Sequence, residues 1–272
     1  MLLVTGVSGA LGSLVAERLA DRDGVVLGTR AGLPGTRRLD FDAPETLPEA
    51  FAGVETLLLI SAGYGEDDTV VARHEAAISA AERAGVRHVV YTSLSGDGDH
   101  LTYALAHRWT ERRLRRSASL DWTILRNGLY AELLTWIAAP DAENRITGPL
   151  GDGRLAAVAR ADLADIAVSV ATDPAAHRGR VYELVGDRPL GGADLAEALG
   201  ASYAPGTLAD ARAAVAASGA VPFQVPMLAS TYSAIAHGFL DGTGVESDLR
   251  TLLGGREPLD ALDVFVKAVR EG

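Results

Sequence analysis

Three glycines near the start of the chain set out its first chemistry, in the run Gly6-Val7-Ser8-Gly9-Ala10-Leu11-Gly12. A G-x-x-G-x-x-G spacing suits the holding of a pyrophosphate. The glycines permit a tight turn and let an anion approach the main chain. The free N–H groups of a following helical turn then point at the anion, with the helix dipole behind them. Leu2, Leu3 and Val4 read as a buried strand before the run. Leu11, Val15, Leu19 and Ala20 read as a helical face after it. A Walker-type phosphate loop is excluded, because no Gly-Lys-Ser/Thr follows.

Further strand ends carry complementary groups. The strand from Val25 ends Gly28-Thr29-Arg30. A carboxylate there would hold the ribose 2′-hydroxyl of NAD, whereas an arginine suits the 2′-phosphate of NADP through charge-assisted hydrogen bonds. Arg37 and Arg38 can add charge from the nearby loop, and Asp40 and Phe41 can flank an adenine. Ser61-Ala62-Gly63 and Thr92-Ser93 end two later strands, where small residues let a nicotinamide ribose approach the backbone.

The elements that must position these groups alternate between strand and helix. Apolar runs at Val25–Leu27, Val54–Ile60, Val86–Tyr91 and Trp122–Leu125 are separated by helical patterns over Thr69–Ala84 and about Leu101–Arg116. This alternation predicts an α/β fold, a doubly wound parallel Rossmann sheet with right-handed crossovers. Residues 1–128 form its dinucleotide-binding core. Between Arg30 and Asp40 the turn signal Pro34-Gly35 leaves too little chain for a crossover helix. A loop is expected there, with a short strand around Arg38–Phe41. After residue 128 the pattern is less regular. A loop spans Gly148–Gly153, a helix Ala161–Ala171 and a strand Val181–Val185. Helical segments dominate from Leu195, including Pro226–His237 and Asp248–Leu253. Residues 129–272 are expected to complete the sheet and to form a small, mostly helical substrate lobe.

Composition narrows the function classes. The 272 residues are 48% hydrophobic, enough for a sizeable core. No run approaches the ~18 apolar residues of a membrane span. Met1 leads straight into the first strand, with no leader-like segment, and the chain has no cysteine. A cytoplasmic location is therefore expected. A net charge of −11 opposes binding to nucleic acid or an anionic membrane. The expected partner is a small-molecule substrate, with the chain a monomer or a homodimer. None of the six histidines has the spacing of a helical metal site, so no metal is expected. All but His107 read as capping or packing residues. No G-x-S-x-G elbow is present.

The motifs then become specific in combination. The glycine loop is followed by Phe51-Ala52-Gly53-Val54, Leu57-Leu58-Leu59-Ile60-Ser61, Ala84-Gly85-Val86 and Tyr91-Thr92-Ser93. After these come His107-Arg108-Trp109-Thr110-Glu111, Thr123-Ile124-Leu125-Arg126-Asn127-Gly128-Leu129-Tyr130, and Arg160. In this order they resemble the NmrA-like group of atypical short-chain dehydrogenase/reductases, among them bacterial NADPH-dependent quinone oxidoreductases and triphenylmethane reductases. The resemblance covers nearly the whole chain. It implies NADP(H) bound by Gly6, Ser8, Gly9, Ala10, Leu11, Arg30, Ser61, Ala62, Gly63, Thr92 and Asn127, with Gly12 closing the loop. It also implies a substrate cleft lined by Tyr130 and the C-terminal lobe.

The wider family usually reduces carbonyls with a Tyr-x-x-x-Lys pair, in which the tyrosine donates the proton. That pair cannot exist here, because Lys267 is the only lysine. The nearest equivalent is Tyr103-Ala104-Leu105-Ala106-His107, with Ser93 ten residues earlier. One helical turn apart, Tyr103 and His107 can share a face, and a protonated His107 can partly replace the lysine. The alternative is that His107 packs the helix and Tyr103 only lines the pocket. Hydride transfer to a quinone or a conjugated cation needs little proton donation and depends on positioning. Tyr64, Tyr130, Trp136 and Phe223 are candidates to stack a flat substrate. The expected function is NADPH-dependent reduction of a quinone or a similar flat, electron-poor acceptor. The alternatives are a redox-sensing regulator that binds NADP without turnover, and a biosynthetic carbonyl reductase or epimerase using Tyr103 as acid.

Overall fold

The computed structural model describes residues 1–96 and 100–271. Strands β1 (Leu2–Val4), β2 (Val25–Thr29), β3 (Thr36–Arg38), β4 (Thr56–Leu59), β5 (His88–Leu94) and β6 (Asp121–Asn127) come first. The short strands β7 (Arg145–Ile146) and β8 (Arg154–Leu155) precede β9 (Val181–Leu184). One sheet of seven strands has the order β3-β2-β1-β4-β5-β6-β9, and each neighbouring pair from β3 to β6 is parallel. The order reverses between β1 and β4, which is where a doubly wound sheet opens a crevice at its carboxyl edge. All seven residues of β5 are buried, as befits a strand covered on both faces.

Helices α1 (Ala10–Arg18), α2 (Leu47–Ala50), α3 (Asp67–Ala84), α4 (Ala104–Arg115), α5 (Leu134–Ile137) and α6 (Arg160–Thr172) connect these strands. Asp67 and Asp68 lie in the first turn of α3, where they suit the helix dipole. Gly85, at φ 74°, ends that helix in the left-handed region. Later come α7 (Gly192–Leu199), α8 (Leu208–Ala217), α9 (Gln224–Ala236), α10 (Leu249–Leu252) and α11 (Ala261–Glu271), with β10 (Leu190–Gly191) just before α7 and β11 (Ser202–Tyr203) just after it.

The chain divides into two compact units, each assembled from three stretches. The first comprises residues 1–94, 105–127 and 160–182, and the second 95–104, 128–159 and 183–272. Each has its own core. In the first, Leu3, Phe51, Leu57, Leu59, Ile78, Val89, Tyr91 and Leu114 pack together. In the second, Leu134, Ile146, Leu155, Leu195, Ile235 and Phe265 do so. The helical character beyond Leu195 holds. Two short strand pairs, β8 with β10 and β7 with β11, join it without a periodicity long enough to announce them.

The loop expected in place of a crossover helix is present, but its strand falls earlier than Arg38–Phe41. Gly35 takes φ 78°, and the Thr36 amide donates to Leu33. Thr36–Arg38 then pair with Leu27–Thr29. The Asp40 amide turns instead to the Thr46 hydroxyl, 3.1 Å away, and leaves the ladder.

Candidate active site

The glycine run turns from β1 into α1 under close steric control. Gly6 takes φ 70° and packs on Ile60. A Cβ at Gly12 would lie 2.1 Å from the Gly6 carbonyl oxygen, so helix and turn approach to a distance only glycine permits. Gly9 is the N-cap of α1 and offers no side-chain acceptor to the first helical turn. Those amides are left to face an anion. This cradle fits a dinucleotide pyrophosphate on its own geometry, and the parallel register brings three further strand ends to the same edge.

At the first of these, Thr92 Oγ1 accepts the Ser61 amide at 3.0 Å and so ties the β4 exit to β5. Ser61 and Ala62 are partly buried, and Gly63 is exposed. At the end of β6, Asn127 is buried, and its Oδ1 has no hydrogen-bond partner among the described residues. A buried amide oxygen without a partner is costly, and a bound ligand would satisfy it.

On the β2–β3 side, Arg30 and Arg38 are exposed. Arg37 is not available to a ligand phosphate, since it donates to the carbonyls of Ala50 and Ala52 at 2.8 Å each. Phe41 packs partly on the core. Asp42 forms a two-point ion pair with Arg73 on α3, with both contacts at 2.7 Å. Arg73 also donates to the Tyr64 carbonyl, and so links the Asp40–Asp42 segment to the loop after Gly63.

The proposed acid group looks different in three dimensions. Helix α4 begins at Ala104, directly after Tyr103, but the Tyr103 and His107 side chains bond to different partners. Tyr103 belongs to the second unit, where its hydroxyl lies 3.2 Å from Thr231 Oγ1. Burial raises its pKa to about 12, which makes it a poor proton donor. His107 belongs to the first unit, with Nδ1 2.9 Å from the Tyr91 hydroxyl. Although the residue keeps some exposed surface, its ring is enclosed, and burial with the nearby Arg108 charge lowers its pKa to about 4. A neutral His107 does not supply the charge of the missing lysine. Ser93 donates to Glu111 Oε1 at 2.7 Å, inside a buried cluster.

That cluster was not read from the sequence. Arg126 makes two contacts to Glu111, at 2.9 and 2.7 Å, and Arg108 and Arg115 form two further ion pairs with the same carboxylate, the latter at 3.5 Å. Arg108 also donates to the Leu94 carbonyl at 2.6 Å. Burial alone would raise the Glu111 pKa, but the Arg126 and Ser93 hydrogen bonds and the Arg108 charge hold it below the usual range. The cluster ties the ends of β5 and β6 to α4. Its sequence signal was Glu111 and Arg126, which stand in the recognised motifs without evident purpose. His74, read only as a packing residue, is also bonded through both ring nitrogens.

The stacking candidates belong to both units. Tyr64 is 67% exposed in the first unit. In the second, Trp136 on α5 is 71% exposed, Phe223 is the partly buried N-cap of α9, and Tyr130 bridges Val158. Among the described residues no helix is long and apolar enough to cross a membrane.

Comparison with known proteins agrees with this geometry. Residues 6–174 match a family described as NAD(P)H-binding. Quinone oxidoreductase 2 of Escherichia coli K12 is 36% identical over 201 residues, 69% of each chain. The structure of an Escherichia coli NADPH-dependent quinone oxidoreductase with NADPH superposes with a TM-score of 0.86 at 31% identity, covering 98% of this chain and 99% of that one. A Citrobacter sp. triphenylmethane reductase with NADP(H) gives 0.84 at 27% identity, covering 99% of both. The chain belongs to this NAD(P)H-binding family. It is an NAD(P)H-dependent reductase, and its NmrA-like resemblance is borne out.

Proposed function

We propose that this reductase uses NADPH to reduce a quinone or a similarly flat, electron-poor organic molecule. NADPH supplies a hydride when bound. The glycine loop and the amides of α1 hold the pyrophosphate, and Arg30 with Arg38 attracts the 2′-phosphate. Ser61-Ala62-Gly63, Thr92 and Asn127 receive the nicotinamide half. Tyr130, Trp136 and Phe223 serve the substrate.

One observation carries the choice of acceptor: the sequence has no Tyr-x-x-x-Lys pair of the carbonyl-reducing kind. Its single lysine lies on α11, 74% exposed and 3.9 Å from Glu271. Tyr103 is held protonated without a cationic neighbour in its hydrogen-bond partner. A quinone takes a hydride without needing such a donor at the reacting oxygen, because the reduced product is a stabilised phenolate that water can protonate. The names of the quinone and triphenylmethane reductases it resembles support the same class. The test follows reduced-cofactor absorbance on mixing protein, NADPH and a panel of quinones, conjugated dyes and simple ketones. Turnover of quinones or dyes in preference to ketones is expected. Preference for ketones, or no turnover at all, would count against the proposal.

A further inference from the structure

His74 lies on α3 with no solvent exposure, and both of its ring nitrogens are engaged. Nε2 is 3.0 Å from the Ala62 amide nitrogen. An amide N–H only donates, so Nε2 is the acceptor and the proton sits on Nδ1. Nδ1 lies 2.8 Å from Thr110 Oγ1 on α4, and Thr110 donates in turn to the Ala106 carbonyl at 2.7 Å. The bonds therefore run in one direction, from Ala62 through the imidazole and the hydroxyl into the backbone of α4. Tyr91 packs edge-on against the ring, at 5.4 Å between centroids and 75° between planes.

The target of this chain is a segment that has left the sheet. Strand β4 ends at Leu59. Beyond it the consecutive amides of Ser61 and Ala62 are each taken by a side chain, Thr92 and His74 respectively. We infer that His74 is a positioning residue for the nicotinamide half of the cofactor, holding Ser61-Ala62-Gly63 in its receiving shape through the Ala62 amide. The inference rests on the reading that this segment contacts the cofactor. His74 touches no ligand itself, since it is fully enclosed. A buried side chain that accepts at one end and donates at the other is required, and neutral histidine meets both demands.

Two variants separate the two ends of the ring. His74→Asn keeps a donor near Thr110 and loses the acceptor for Ala62. His74→Gln extends an acceptor toward Ala62. The readout is the dissociation constant of NADPH beside that of 2′,5′-ADP, which lacks the nicotinamide half. His74→Asn should weaken NADPH about tenfold, the equivalent of ~1.4 kcal/mol, and leave 2′,5′-ADP within about twofold. His74→Gln should recover NADPH binding to within about threefold of wild type. A general loss of structure would weaken both ligands alike. If His74→Asn shows no cooperative melt, Thr110→Val, which frees the ring, decides by the same ratio. The inference is overturned if NADPH binding is unchanged, if both ligands weaken equally, or if the glutamine variant is no better than the asparagine one. Failure of wild type to bind NADPH would instead overturn the cofactor reading, and the inference with it.

Discussion

Adding one methyl group at Gly12 should damage cofactor binding far more than the same addition three residues earlier. The Cβ of alanine at position 12 would lie 2.1 Å from the Gly6 carbonyl oxygen, 2.6 Å from its carbon and 2.8 Å from the Val7 Cα. All three are backbone atoms, so no rotamer relieves the clash. Reaching even a 3.0 Å contact needs a displacement of about 0.9 Å between α1 and the turn. Overpacking of this kind costs about 1–3 kcal/mol, and where that cost falls on the bound form it weakens affinity by roughly 5- to 150-fold. At position 9 the added Cβ would sit 3.3 Å from the Gly6 oxygen, at φ −85°, a backbone shape alanine adopts freely. The expected outcome is a Gly12→Ala protein that folds, melts several degrees lower and binds NADPH at least ~30-fold more weakly. Gly9→Ala should lose less than ~5-fold. Calorimetric titration with NADPH, beside a thermal melt of each variant, makes the comparison. Equal affinities for Gly12→Ala and wild type would refute the claim that this packing shapes the phosphate cradle.

Two further outcomes follow from charge. Arg30→Ala should weaken NADPH at least ~10-fold and NADH less than ~2-fold, and the difference should shrink as salt screens the exposed site; equal losses for the two cofactors would remove Arg30 from the 2′-phosphate. Acid stability should depend on His74, whose pKa burial lowers from 6.5 to about 3. The unfolded chain binds a proton below pH 6.5 that the native state refuses, so stability is full above 6.5 and falls as pH drops toward 3, by up to ~1.4 kcal/mol per pH unit. Thermal melts from pH 7.5 to 5 should show a shallower decline for His74→Gln than for wild type, and parallel declines would contradict a neutral buried ring.

What the sequence made legible was local. The glycine loop, the Arg30 strand end and the missing crossover helix each reside in a few adjacent residues, and each can be argued from turn and helix-terminus chemistry. The position of β3 was not local, because the Thr46 hydroxyl captures the Asp40 amide and decides where pairing stops. The partners of Tyr103 and His107 were not local either. Spacing puts the two residues one turn apart, but packing gives their side chains separate partners, Thr231 and Tyr91. The Glu111 cluster and the His74 chain were invisible because key partners, Arg126 with Glu111 and Thr110 with His74, are 15 and 36 residues apart and join only when β5, β6, α3 and α4 pack. Electrostatic roles of this sort come from packing, whereas the phosphate cradle comes from backbone shape.

The solitary lysine has a practical use as well as a chemical meaning. Lys267 stands exposed on α11, in the second unit, and the chain contains no cysteine. The amino group of Met1 is paired with Glu55 at 3.0 Å. With the Met1 amine blocked, a lysine-directed dye therefore has one well-exposed target, and one cysteine introduced into the first unit becomes the sole thiol. Two dyes attached by these separate chemistries would mark one unit each, without first stripping native residues. The distance between them, followed by energy transfer during titration with NADPH, reports directly on how the units respond to cofactor.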